Sequence, residues 1–115
     1  MIKIEAVVRR DRVETVVGAV EAETGHVGVT VVDAIGHGRQ RGVSHEYHGR
    51  TYESHFLPKA LLIFIVPKNK AEKVVEVVAD ASRTGEEIGD GVVWTTEIHS
   101  VIHSRTDKPL HEYAK

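Results

Sequence analysis

Cysteine is absent from the 115 residues, which excludes disulfides, thiolate catalysis and cysteine–zinc sites together. Aromatic residues are scarce at 5%, with a single tryptophan. Valine carries much of the apolar surface instead, a balance that suits strands packed on helices and argues against a large aromatic pocket. No charge of one sign dominates: the formal net charge is −2, so nothing supports a nucleic-acid partner. The longest apolar run, Ala60 to Val66, is far short of the ~20 residues that span a bilayer, so direct membrane insertion is not expected. The N-terminal MIKIEAVVRR passes straight into a strand pattern without the apolar core of a signal peptide. A cytoplasmic location is the expectation, with docking onto a membrane protein left open. No serine–histidine–acid or nucleotide-hydrolysing spacing is present, so no enzyme activity is expected.

What remains is ordinary globular material, 41% apolar and 28% charged, of a length that reads as one domain, 1–115. Ile2 to Val8 has the β-branched apolar positions of a strand. Asp11 followed by Glu14 matches a capping box. Val13, Val16, Val17 and Val20 then share one helix face, and Gly25 stops that helix. Gly28 to Ile35 reads as a second strand and Ala60 to Val66 as a third. The third is apolar on both faces and hence central. Pro67 breaks it, and Asn69 with Glu72 matches another capping box. Val74, Val75, Val78 and Ala81 give the second helix its apolar face, with Glu72, Lys73, Glu76 and Asp80 turned to solvent. Further strands are expected at Val92 to Thr95 and around Ile98 to His103. The polar tail from Ser104 is expected to be mobile or to pack on a neighbouring molecule.

Between the second and third strands lies the segment GHGRQRGVSHEYHGRTYESHFLPK, residues 36–59. It is rich in glycine, arginine, histidine and tyrosine and has almost nothing aliphatic before Phe56. Connections beyond ~12–15 residues are usually functional or disordered. A polar loop held between two firm strands is best explained as the part that meets a ligand or partner. The resulting order is α+β: a ferredoxin-like βαββαβ sandwich with a long loop between the second and third strands. Both helices cover one face of its sheet. The other face is left bare and calls for a cover, which self-association supplies.

The chain resembles the P-II signal-transduction family along nearly its whole length. The carriers are MIKIEAVV at the start, TVVDAIGHGRQRG entering the loop, Tyr47, Gly49 and Tyr52 inside it, and HFLPK leaving it. Thr84-Gly85, Ile88 to Gly91 and Ile102 to Thr106 continue the match. The resemblance implies a homotrimer whose inter-subunit clefts bind adenine nucleotide (ATP, ADP or AMP). It also implies that the loop at 37–55, the family's T-loop, engages targets such as an ammonium transporter or an enzyme of nitrogen and carbon metabolism. It assigns nucleotide binding to Thr30, Gly38, Arg39, Gln40, Ile65, Gly89, Asp90, Gly91, Val92, His103 and Arg105, with 84–91 as the nucleotide loop and 104–115 as the C-terminal tail. It assigns magnesium and 2-oxoglutarate to Gln40 and Lys59. Tyr52 aligns with a tyrosine that some members have uridylylated, but family members usually read YRGAEY where this chain has YHGRTY, and modification is not expected.

The physical character of these residues suits that role. An arginine fork such as Arg39 matches an anion. Successive backbone N–H groups at Gly89 to Gly91 can form an anion-binding concavity, and Arg105 adds a fixed positive charge.

The largest departure is in the nucleotide loop. The family commonly reads TGKIGDGKIFV; here TGEEIGDGVVWT replaces one lysine by Glu86-Glu87, with one residue inserted, and the other by Val92. His103 stands where the family has arginine. Hydrogen bonds to charged groups are worth ~1.5–3 kcal/mol each, so weak or altered ATP binding, a preference for ADP or AMP, or a different ligand is expected. His45 and His48, with Glu46 or Glu53, offer a divalent-metal alternative. Without an HxH or HExxH spacing, solvated or partner-contacting histidines are the expected reading.

Overall fold

The computed structural model describes residues 1–37, 43–47, 50–54, 56–83 and 91–110. Strand β1, Ile2–Arg9, leads through a 3-10 turn, Arg10–Arg12, into helix α1, Val13–Thr24. Then come β2, Val29–Gly36; β3, Val43–Tyr47; β4, Arg50–Ser54; β5, Leu57–Val66; α2, Lys68–Ser82; and β6, Val92–Glu97. Four strands form one antiparallel sheet in the order β2-β5-β1-β6. This is the ferredoxin-like arrangement expected from the sequence, with β5 and β1 in the middle.

The pattern of valines explains the layers. Along β1 burial alternates, with Ile4, Ala6 and Val8 on the helix side. Their register partners Phe64, Leu62 and Ala60 on β5 are all fully buried. Val16 and Val20 of α1 and Ala71, Val74, Val77 and Val78 of α2 close over them. Valine is a modest helix former, so these helices depend on packing an apolar stripe rather than on intrinsic propensity. Gly25 ends α1 as expected, with φ +81 and its N–H donating to the Glu21 carbonyl at 3.0 Å.

The opposite sheet face carries no helix. The pairing register puts Lys3, Glu5, Val7, Leu61, Ile63, Ile65, Val32, Val92 and Trp94 there. Val32, Trp94 and Val92 are 44%, 40% and 63% exposed. Its centre is polar: Glu5 pairs with Lys3 at 3.2 Å and accepts the Trp94 indole N–H at 3.2 Å.

Four local expectations are corrected. Asp11 is not an N-cap, because it lies inside the 3-10 turn and pairs with Arg9 at 3.1 Å. Helix α1 starts at Val13, with Arg12 at the cap position and no side-chain cap bond. Asn69 is not an N-cap either: α2 begins directly after Pro67, whose extended backbone (φ −59°, ψ 149°) occupies that place.

Among the described residues no strand follows β6. Beyond Glu97 the neighbouring β1 has run out, since Ile2 is the partner of Glu97, so Ile98 can only donate to the Met1 carbonyl at 3.0 Å. Residues 101–110 instead double back through the single bridge Ile102–Pro109 and the bonds Leu110 N–H to Val101 O and His103 N–H to Lys108 O. Within the long connection, β3 and β4 pair as a two-stranded ribbon, in register Val43–Ser54 to Tyr47–Arg50. Alternating valine, histidine and tyrosine in β3 and threonine and tyrosine in β4 suit a pleated ribbon, so much of that segment is not loop. Pro58 belongs to β5, where only β2 is a neighbour because β1 ends opposite Lys59. A residue without an N–H is tolerated in such a stretch.

Candidate functional site

Two of the expected ligand residues come together. Thr30 on the outer strand β2 and Ile65 on β5 line an open cleft of about 290 Å³ at the end of the sheet. Its walls are mostly apolar, from Ile63, Val66 and Pro67, with His26 and Lys70 as titratable groups and Gly28 in the floor. Leu110 comes from the far end of the chain to complete it. A cleft of this size is at the small end for ligands, which generally take ~300–1,000 Å³. Its apolar walls can take a flat base, with the mouth left open for whatever the base carries. Sequence reasoning missed Leu110 and Lys70, because only the doubling back of residues 101–110 and the first turn of α2 bring them there.

Gly91 and Val92 lie elsewhere. They line a second, smaller cleft with Val8, Val78, Ser82 and Arg83, on the β6 side of the sheet. Val92 pairs with Val7, Val7 with Leu61, and Leu61 with Val32. Val92 and Val32 thus lie three strand spacings apart, ~14 Å at 4.7–4.9 Å per spacing, and Thr30 and Ile65 lie two and four residues further along the strands, level with Trp94 and Thr96. Gly91 has φ +106, and a Cβ there would sit 1.9 Å from the Val7 carbonyl oxygen. The chain thus re-enters the sheet pressed onto the backbone of β1, which only glycine allows.

His103 and Arg105 line neither cleft. Both ride on the turn in which the His103 carbonyl accepts the N–H groups of Thr106 and Asp107 at 3.1 and 2.9 Å. That turn leaves Arg105 exposed and His103 half-buried. Gly38, Arg39, Gln40, Gly89, Asp90 and His48 lie outside the described residues. His45 and Tyr52 are a register pair across β3 and β4. Among the described residues, no group of three or more His, Cys, Asp or Glu is gathered as a metal site would require.

Lys59 is buried, although lysine is seldom so. It pairs with Ala34 across β5 and β2, and its stem lies over Gly36, one pleat further along the same face. A Cβ on Gly36 would come within 2.7 Å of the Lys59 Cγ and 3.3 Å of its Cε. Gly36→Ala should therefore drive the lysine off the sheet at an overpacking cost of about 1–3 kcal/mol. Mass-spectrometric mapping of amine acylation should show Lys59 labelled several-fold faster in that variant. Unchanged labelling would mean that the stem accommodates the methyl group.

Residues 1–108 match the family model described as nitrogen regulatory protein P-II. The nitrogen regulatory protein P-II 1 of Methanothermobacter thermautotrophicus is 38% identical, the match covering 92% of this chain and 90% of the relative. The nitrogen regulatory protein P-II of Rhizobium meliloti is 38% identical over 92% and 93%, and that of Pyropia yezoensis 39% over 93% and 94%. Among the described residues no helix is long and apolar enough to cross a membrane.

Proposed function

Since the chain belongs to the nitrogen regulatory protein P-II family, and so is a signal-transduction regulator, we propose that it binds an adenine nucleotide between subunits of a homotrimer and controls a target through the segment 37–55. The observation that carries this reading is the division of the ligand residues. Thr30 and Ile65 line a base-sized cleft at the β2 side, while Gly91 and Val92 lie on the β6 side. A ligand touching both sets needs the β2 side of one copy against the β6 side of the next. Such a head-to-tail contact generates a ring when its rotation closes. Closing the ring also covers the bare sheet face, with its exposed Val32, Val92 and Trp94 around a polar centre, and the two open sheet edges, which otherwise invite non-specific pairing.

Within such a cleft, Ile63, Ile65 and Leu110 would enclose the base, with Thr30 and Lys70 as its polar contacts. Gly91 would present its backbone N–H to the phosphates, with Arg105 adding charge. Lys59, held flat over Gly36, is the group offered to 2-oxoglutarate, together with Gln40 and a nucleotide-bound magnesium. Bound ligand would favour one arrangement of the target-binding segment out of those already populated. No bond is made or broken in this scheme, and the targets proposed are ammonium transporters or enzymes of nitrogen and carbon metabolism.

Glu86, Glu87, Val92 and His103 make the phosphate side poor in positive charge, so ADP or AMP should bind at least as well as ATP. Calorimetric titration with the three nucleotides, with and without magnesium and 2-oxoglutarate, tests this on protein whose mass is measured by sedimentation. The expected result is a trimer that takes up ADP or AMP and gains little from the third phosphate. A monomer, or a trimer that binds none of the three, would overturn the proposal.

A further inference from the structure

We infer that the 3-10 turn Arg10–Arg12 ties the base of the target-binding segment to the nucleotide loop within one subunit, with Arg10 and Arg12 as its positioning residues. The roles of the two loops rest on the reading proposed above; the mechanical tie between them does not.

Arg10 holds the first loop. Its Nη2 donates to the Ala34 carbonyl at 3.1 Å and its Nε to the Lys59 carbonyl at 3.4 Å, with the Asp33 carboxylate also 3.4 Å from Nε. Ala34 and Lys59 are register partners, on the strands where the long connection leaves the sheet and returns. One guanidinium therefore clasps both stems. The fork geometry of arginine makes this possible, and the point charge of a lysine cannot reproduce it.

Arg12 holds the second loop. Its Nη2 donates to the Ala81 carbonyl at 2.6 Å, in the last turn of α2 and three residues before Thr84. That turn has no basic residue of its own, so Arg12 supplies the cation that a helix C-terminus favours. Its Nε is buried as well, so the guanidinium is packed against the protein rather than turned to solvent. The loop's other end, Gly91, presses on the Val7 carbonyl and the Val8 Cα, one strand residue before Arg9 and the turn. All four stems of the two loops thus abut β1 and the three residues that follow it. A 3-10 turn rises only ~2 Å per residue, so Arg10 and Arg12 spring from one short, continuous piece of backbone.

The bland alternative is that Arg10 is a surface ion pair and Arg12 a helix cap, each acting only where it touches. Cross-effects separate the two, because a local contact loosens only its own loop whereas a tie loosens the other loop as well. The experiment is amide hydrogen exchange of the intact, ligand-free protein carrying Arg10→Ala or Arg12→Ala, with Val78→Ala as a control for general loss of stability. The coupling predicts that Arg12→Ala speeds exchange at Gly36, His37 and Leu57 as well as at Arg83. Arg10→Ala should likewise speed exchange at Arg83, Gly91 and Val92 as well as at Leu57. The cross-effect should be roughly 2- to 30-fold. Arg12→Lys, which keeps the single bond to Ala81, should restore the wild-type rates at both loops, whereas Arg10→Lys should not. Acceleration confined to each arginine's own loop, or no greater than in the Val78 control, would overturn the inference. Adding ATP, ADP and AMP in turn to the same samples separates the questions: wild-type protein that ignores all three sinks the nucleotide reading, while the ligand-free exchange still decides the coupling.

Discussion

Gly91→Ala should be among the most damaging single substitutions in the chain, costing about 2–6 kcal/mol. Two penalties combine. The positive φ of +106 is a conformation that strains any residue with a Cβ by ~1–3 kcal/mol. The new methyl carbon would also lie 1.9 Å from the Val7 carbonyl oxygen, a backbone atom that no rotamer change can move. Forcing room in a packed region typically adds ~1–3 kcal/mol. A fall in Tm on the order of 10 °C or more is expected by differential scanning calorimetry. Gly25→Ala supplies the contrast. It shares the positive φ, +81, but has nothing within 4 Å of the added carbon, so it should show the strain without the collision. Equal melting temperatures for the two variants would show that the chain at Gly91 yields to the methyl group.

Phe64→Ala should cost about 3–5 kcal/mol, the usual range for emptying a phenylalanine site in a core. Phe64 is 0% exposed and sits on β5 between Ile4 of β1 and Val29 of β2 in register. Both neighbours are β-branched and anchored in strands, so the cavity has little means of closing. Domains of this size hold ~5–15 kcal/mol in total, and such a loss brings unfolding close to physiological temperature. Urea denaturation at fixed protein concentration should show a lower midpoint with the slope retained. A loss under ~1 kcal/mol would mean that α2 settles into the space.

The helices and all four sheet strands were legible because the spacing of apolar residues reports burial directly. Val16 and Val20, or Ile4, Ala6 and Val8, recur at the period of their element. The helix starts were not legible. Asp11 and Asn69 have the right chemistry for caps, but Arg9 competes for one and Pro67 takes the place of the other. The strand expected at Ile98–His103 failed for a non-local reason. Its residues are apolar enough, yet the partner strand ends at Ile2, a fact that no local pattern carries. The candidate site divides in the same way. Thr30 and Ile65 were found from family motifs and do share a cleft. Leu110 and Arg10 have no motif, and their positions depend on chain segments that meet only after folding.

The strand order β2-β5-β1-β6 also sets a timetable for synthesis. Of its three ladders only β2–β5 joins strands that follow one another in the sheet, around the β3–β4 ribbon, and both ladders of β1 join strands distant in sequence. Ile2 needs Val66 on one side and Glu97 on the other. At ribosomal rates of ~5–20 residues per second, β1 waits roughly 5–20 s for its second neighbour. Ladders of such long sequence separation also close slowly once available, since the entropy of the intervening chain is lost before any bond rewards it. From its own synthesis until β6 follows, LLIFIV, the apolar end of β5, has no finished sheet to enter. The nascent chain, more than the folded protein, is therefore where a chaperone would find its substrate.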